Sequence, residues 1–206
     1  MSTTKVKAPG KKGMNGANST DGKEATPVMH QRGHTVQRYG TVTAMPVGVP
    51  TEARQANCAM LNQLLADTIT LYSLYKKAHW QVKGHTFYQL HLLYDKHAGE
   101  QLELVDMIAE RVQMLGGVAT GMPAAVARMS KIENPPDDVE EVPAVISRLL
   151  EAHEAIINET NEAIDQTEEN KDWGTNDMLM SDVLRTNQMQ VWFVGEHLVD
   201  TPTVRA

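Results

Sequence analysis

Cysteine is almost missing from this chain of 206 residues: Cys58 stands alone. One thiol makes no internal disulfide and no cysteine-rich zinc site, so a reducing compartment and a cytoplasmic location are expected. Long apolar runs are missing as well, and no stretch approaches the roughly 18 residues that a membrane-spanning helix needs. The start, Met1-Ser2-Thr3-Thr4-Lys5, leads into no apolar segment, which predicts no secretory signal. Alternating strand patterns are nearly absent, so a sheet-based fold is excluded. What is present is an ordinary globular balance, 41% hydrophobic and 22% charged residues, enough for one sizeable core.

Charge of one sign is scarce in each part of the chain. Residues 1–50 carry seven basic residues (Lys5, Lys7, Lys11, Lys12, Lys23, Arg32, Arg38) against Asp21 and Glu24, a net +5. The other twelve basic residues face twenty-four acidic ones over 51–206, a net −12, and the sum is the chain's −7. A basic arm on an acidic body predicts two kinds of partner: a polyanion such as DNA for the arm, cations for the body.

Residues 1–50 also hold seven of the fourteen glycines and four of the nine prolines, without apolar periodicity, and read as a flexible extension. Val42 to Pro50 is more apolar and is expected to dock as an extended strap. From Thr51 the pattern changes. Leu61, Leu64, Leu65, Thr68, Tyr72 and Tyr75 recur at three- and four-residue steps, predicting a helix over 51–83 with Thr51 as N-cap and Gly84 as stop. Thr86 with Gln89 fits a capping box opening a second helix. Its apolar face reads Phe87, Leu90, Tyr94, Ala98, Leu102, Val105, Ala109 and Val112, and it ends at Gly116-Gly117. An irregular connection over 118–137 leaves room for a short helix from Pro123. Asp138 with Glu141 suggests a third long helix to about Lys171, and Gly174-Thr175 a fourth to about Val199. The expected fold is all-α: a four-helix bundle over 51–200 with one long crossover carrying a short extra helix, and a tail at 201–206.

The chemistry concentrates in 79–110. His79, His91, Asp95, Asp106 and Glu110 are all ligand types for a borderline ion such as Fe(II). His79 and His91 stand six residues either side of His85 in the turn, which brings both imidazoles to similar height on two antiparallel helices. On the second helix, with His91 at zero, Asp95 falls at about 40°, Asp106 at about 60° and Glu110 at about 100°. One stripe therefore carries all four. Rise separates them: His91 and Asp106 are fifteen residues, or roughly 22 Å, apart, whereas ligands sit about 2 Å from their ion. Two copies of this helix paired antiparallel about a two-fold axis would lay His91 and Asp95 of one chain beside Asp106 and Glu110 of the other, making two equal sites. The Glu-x-x-His signature of a di-iron site inside one bundle occurs nowhere in the chain.

The run His79-Trp80-Gln81-Val82-Lys83-Gly84, then Phe87, Leu90-His91, Asp95, Asp106, Ala109-Glu110-Arg111 and Leu115-Gly116-Gly117, closely resembles the Dps family of ferritin-like mini-ferritins, named as DNA-binding proteins from starved cells. The resemblance extends through Trp192-Phe193 and covers roughly 51–199. It implies hollow homo-dodecamers of ferritin-like four-helix subunits that oxidise Fe(II), preferably with hydrogen peroxide, and store ferric mineral. It also implies ferroxidase centres at two-fold interfaces, with His79, His91 and Asp95 from one subunit and Asp106 and Glu110 from its partner. Zn(II) is a competing ion for such a set. Trp80 would intercept stray oxidising equivalents. Acidic entry pores at three-fold axes make Glu168, Asp172 and Asp177 candidates. His97, two residues beyond Asp95, is expected near the centre or on the surface. Lys96 stands where the family often has an acidic residue. His30 and His34, spaced i, i+4, are tail histidines with metal-binding potential, and His85 and His197 are possible neighbours of the centre.

Overall fold

The structure is a computed structural model that describes residues 33–200. Contacts divide the chain into a unit of Met1–Val36 and a unit of Gln37–Ala206. Of the first unit, residues 1–32, with His30 and six of the seven basic residues of the arm, lie outside the described residues.

The second unit is all-helical among its described residues. Helices α1 (Thr51–Gln81), α2 (Phe87–Met114), short α3 (Pro123–Met129) and α4 (Val142–Glu169) are followed by a fourth rod. That rod is α5 (Trp173–Met178), a π-helical segment Leu179–Leu184 and α6 (Arg185–Gly195). α1 packs along α2 and α4, and α4 along α6, so the four rods close around one core. Leu61, Leu65, Leu71, Leu90, Ile108, Ile146, Ile156 and Val183 are fully buried there. Each such side chain contributes about 1.5–3 kcal/mol.

The helices form where apolar spacing predicts, but three of the predicted caps do not. α1 has Pro50 as its N-cap residue, and neither Thr86 nor Glu141 makes a side-chain cap. α4 starts at Val142, not Asp138, because Pro143 needs no N–H partner in a first turn. Glu140 instead holds Arg148 through two hydrogen bonds of 2.8 and 2.9 Å. The helix end that is capped was expected one residue later. Asp172 precedes Trp173 and accepts from the Thr175 N–H.

The apolar face of α2 is also rotated from the expected one. Leu90, Tyr94, Ala98 and Val112 point inward, joined by His97, Gln101, Leu104 and Ile108, whereas Phe87 and Leu102 are exposed. Polar side chains take inward positions because α1 and α6 supply hydrogen-bond partners for them.

The strap docks as expected. Thr43 N–H donates to the Gly116 carbonyl at 2.8 Å. Buried Arg54 donates to the carbonyls of Thr43 (2.6 Å), Leu115 (2.8 Å) and Val49 (3.2 Å). The Gly116-Gly117 pair is demanded by this junction. Gly116 adopts φ +81°, and a Cβ there would meet the Thr43 carbonyl at 2.8 Å. A Cβ at Gly117 would lie 2.6 Å from the sulfur of buried Cys58.

Candidate metal centre

α1 ends at Gln81 and α2 begins at Phe87, with Gly84 at φ +98° allowing the tight reversal. This turn brings His79 and His91 face to face. Their rings stack with centroids 3.8 Å apart and planes 20° apart, and Phe87 also stacks on His91, centroids 5.1 Å apart. Each ring donates from Nδ1 to the other residue's backbone carbonyl: His79 Nδ1 to His91 O at 2.7 Å, His91 Nδ1 to His79 O at 2.9 Å. A carbonyl only accepts, so in the neutral rings both protons sit on Nδ1 and both Nε2 atoms carry the lone pair. Backbone carbonyls thus fix the tautomer that a metal ligand needs.

Asp95 Oδ1 lies 3.9 Å from His79 Nε2. The same oxygen accepts from Lys76 Nζ at 2.6 Å. The Lys76 hydrogen bond, together with its charge, holds the exposed Asp95 carboxyl below its usual range. Lys76 also lies 5.9 Å from the centre of the Trp80 ring. Sequence reading passed over Lys76; its position three residues before His79, on the same helical face, was the signal. Lys96, which drew attention instead, pairs with Glu100.

Asp106 and Glu110 are exposed, further along α2 on the same stripe. Among the described residues of one chain, no three His, Cys, Asp or Glu side chains gather into a metal-binding group. That stripe also exposes large apolar groups: Tyr88, Leu92 and Leu102 are 71%, 51% and 51% accessible, and Trp80 on α1 70%. Such a surface on a single chain marks an interaction face.

The remaining candidates fall in different places. His85 and His197 are exposed, as is His34. His97 is not on the surface: it is fully buried in the bundle and pairs with Tyr75. Burial lowers its pKa to about 4. Glu168 and Asp177 are exposed, but Asp172 is only 1% accessible and its carboxylate is taken up by Arg111, Asn57 and Thr175. Asp172 is therefore a buried structural cap rather than the pore residue expected.

Residues 58–204 match the ferritin family, described as a ferritin-like domain. The DNA protection during starvation protein of Agrobacterium fabrum is 32% identical over 150 residues, covering 73% of this chain and 92% of that one. The chain belongs to the Dps family. The solved structure of DpsC from Streptomyces coelicolor is 59% identical, covers 84% of this chain and all of that one, and superposes with a TM-score of 0.82. A Dps homologue from Halobacterium salinarum superposes at 0.80 with 26% identity, over 84% of this chain and 96% of that one. The ferritin-like fold thus accounts for the bundle. No helix among the described residues is long and apolar enough to cross a membrane.

Proposed function

We propose that this protein is an iron-storing, protective mini-ferritin. It oxidises Fe(II) with hydrogen peroxide at centres shared between two subunits and holds the ferric product inside a dodecameric shell. The observation that carries this reading is the locked pair of imidazoles. Two Nε2 lone pairs are set by reciprocal backbone hydrogen bonds, and that of His79 lies 3.9 Å from the Asp95 carboxylate, on a face rich in exposed apolar groups. Imidazole and carboxylate suit Fe(II).

Each residue has a task. His79 and His91 bind Fe(II) through Nε2. Asp106 and Glu110 of the neighbouring copy bind the same substrate ion and offset its charge. Asp95 orients an imidazole or joins the ligands once Lys76 releases it. Two Fe(II) give one electron each to a peroxide, whose O–O bond breaks and, with two protons from solvent, forms two waters, and no hydroxyl radical is set free. Trp80, beside His79, intercepts stray oxidising equivalents. Glu168 and Asp177 draw cations toward the shell.

Anaerobic addition of peroxide to the Fe(II)-loaded protein should consume one peroxide per two irons. Slow consumption with tight Zn(II) retention would favour a metal-sequestering shell instead. A second reading, DNA compaction, rests on the arm's +5 charge. Twelve such arms on one shell would bind phosphates through avidity without reading bases. A salt-sensitive gel shift that disappears on deleting residues 2–24 supports it, and no shift at low salt removes it.

A further inference from the structure

The bundle contains a second chemical group that the reading above does not use. Tyr75 of α1 is fully buried at the centre, between two histidines. Its hydroxyl lies 2.6 Å from His153 Nε2 and 3.2 Å from His97 Nδ1. The direction of every hydrogen bond in this group can be deduced. Asn187 donates from its amide nitrogen to the Val183 carbonyl at 2.7 Å, which turns its oxygen toward His153 Nδ1 at 2.8 Å. His153 must then donate from Nδ1, so Nε2 is an acceptor and the Tyr75 hydroxyl gives it a proton. With that proton committed, His97 Nδ1 donates to the phenol oxygen. Tyr75 is thus a phenol hydrogen-bonded to a base on one side and receiving a donor on the other.

We propose that Tyr75 is an internal one-electron donor to the α1–α2 centre, its proton passing to His153 as it is oxidised. This rests on reading that centre as the place where Fe(II) meets peroxide. Peroxide needs two electrons, and a site holding a single Fe(II) supplies one. Tyr75 supplies the other. One Fe(II), one peroxide, the Tyr75 phenol with neutral His153, and two protons from water become Fe(III), two waters, the Tyr75 phenoxyl radical and protonated His153. The O–O bond of peroxide and the O–H bond of Tyr75 break, and an N–H bond forms on His153. His97 keeps its hydrogen bond to the phenoxyl oxygen. The next Fe(II) returns an electron, and His153 returns the proton.

Three further observations support Tyr75 for this task. It lies one helical turn before His79, roughly 6 Å along α1. Burial holds the His153 pKa at about 4, so its lone pair is available at neutral pH. Tyr94 provides an internal contrast. Its ring is 6.1 Å from that of Tyr75 and equally buried, but its hydroxyl has no partner. Oxidising Tyr94 would leave its proton without an acceptor.

The test uses the full-length assembled protein loaded anaerobically with one Fe(II) per two-iron site, mixed with peroxide and frozen for electron paramagnetic resonance. A neutral tyrosyl signal is expected. It should persist in Tyr94→Phe and be lost in Tyr75→Phe and His153→Gln. Spin-trapped hydroxyl radical should rise in Tyr75→Phe. Growth on ring-deuterated tyrosine should narrow the signal in the unsubstituted protein, which needs no variant to fold. Rapid iron oxidation with no tyrosyl signal, or a signal unchanged in Tyr75→Phe or residing on Trp80, overturns the proposal and leaves the centre intact. Absence of rapid oxidation in the unsubstituted protein at two irons per site overturns the centre, and the donor with it.

Discussion

Replacing His91 and Asp106 together by alanine should abolish fast Fe(II) oxidation while the shell stays folded. His91 stands at the turn end of α2 with its side-chain nitrogen directed by the His79 carbonyl. Asp106 stands some four turns further on and is exposed. In a shared site each centre loses an imidazole from one copy and a carboxylate from the other. Loss of an outer partner alone costs roughly 10–100-fold in such sites, so loss of two direct ligands should exceed that. The shell should stay folded: Asp106 is on the surface, where changes usually stay within about 0.5 kcal/mol, and His91 gives up one part-buried hydrogen bond and its ring stack at the turn. Stopped-flow absorbance of ferric product measures the rate, and circular dichroism with sedimentation checks the shell. Initial rates equal to those of the unsubstituted protein would contradict the assignment. Sharing makes a sharper demand on the two single variants. If His91→Ala and Asp106→Ala chains are co-assembled, random pairing restores about a quarter of the sites, because a mixed pair keeps one complete centre. A centre within one chain would regain none.

The second large effect is structural. Replacing Asp172 by alanine should destabilise the subunit by about 3–5 kcal/mol, the usual cost of breaking a buried ion pair from one side. Asp172 accepts from Arg111 Nη2 at 2.6 Å, Asn57 Nδ2 at 2.9 Å and Thr175 Oγ1 at 2.6 Å. Those partners tie α1, α2 and α5 together, and Asn57 passes the connection to Gln166 and Asn170 at the end of α4. Removing the carboxylate leaves a guanidinium and an amide without their acceptor. Urea unfolding should show the loss.

The effect has a definite pH dependence. Burial pushes the Asp172 carboxyl up, but hydrogen bonds from Thr175 and Asn57 and the charge of Arg111 outweigh it, and the net shift is downward. The unfolded chain therefore binds the proton more tightly than the folded one. The contribution is complete above the ordinary aspartate value of about 4 and is lost as pH falls below it. The difference between the unsubstituted protein and Asp172→Asn should narrow from pH 7 toward pH 3. A difference that stays constant would mean that the charge is not what matters.

How far the sequence spoke depended on the kind of information. Three- and four-residue spacing of Leu61, Leu64, Leu65 and Tyr75 located α1, because burial of one face is what makes a long helix stable. The double glycine at 116–117 marked the end of α2 through a steric need that the strap imposes. Caps failed because Thr51 and Thr86 have the right chemistry without the backbone geometry that would use it. The face of α2 was misjudged because Leu102 reads as core and Gln101 as surface. Only the partners Asn187 and Gln190, more than eighty residues away, reverse that order. The same long-range dependence hid His97 and His153, whose burial relies on Tyr75. At the candidate centre, spacing placed His79 beside His91. The carbonyl contacts that fix their tautomers, and the hold of Lys76 on Asp95, required coordinates.

Diffraction from a crystal soaked in Fe(II), collected at the iron absorption edge, tests the sharing of the centre most directly. Anomalous density is expected beside His79 and His91, within bonding reach of Asp106 or Glu110 from a neighbouring copy. Iron bound beside those histidines with no second chain within reach, or iron at the heart of a single bundle, would contradict it.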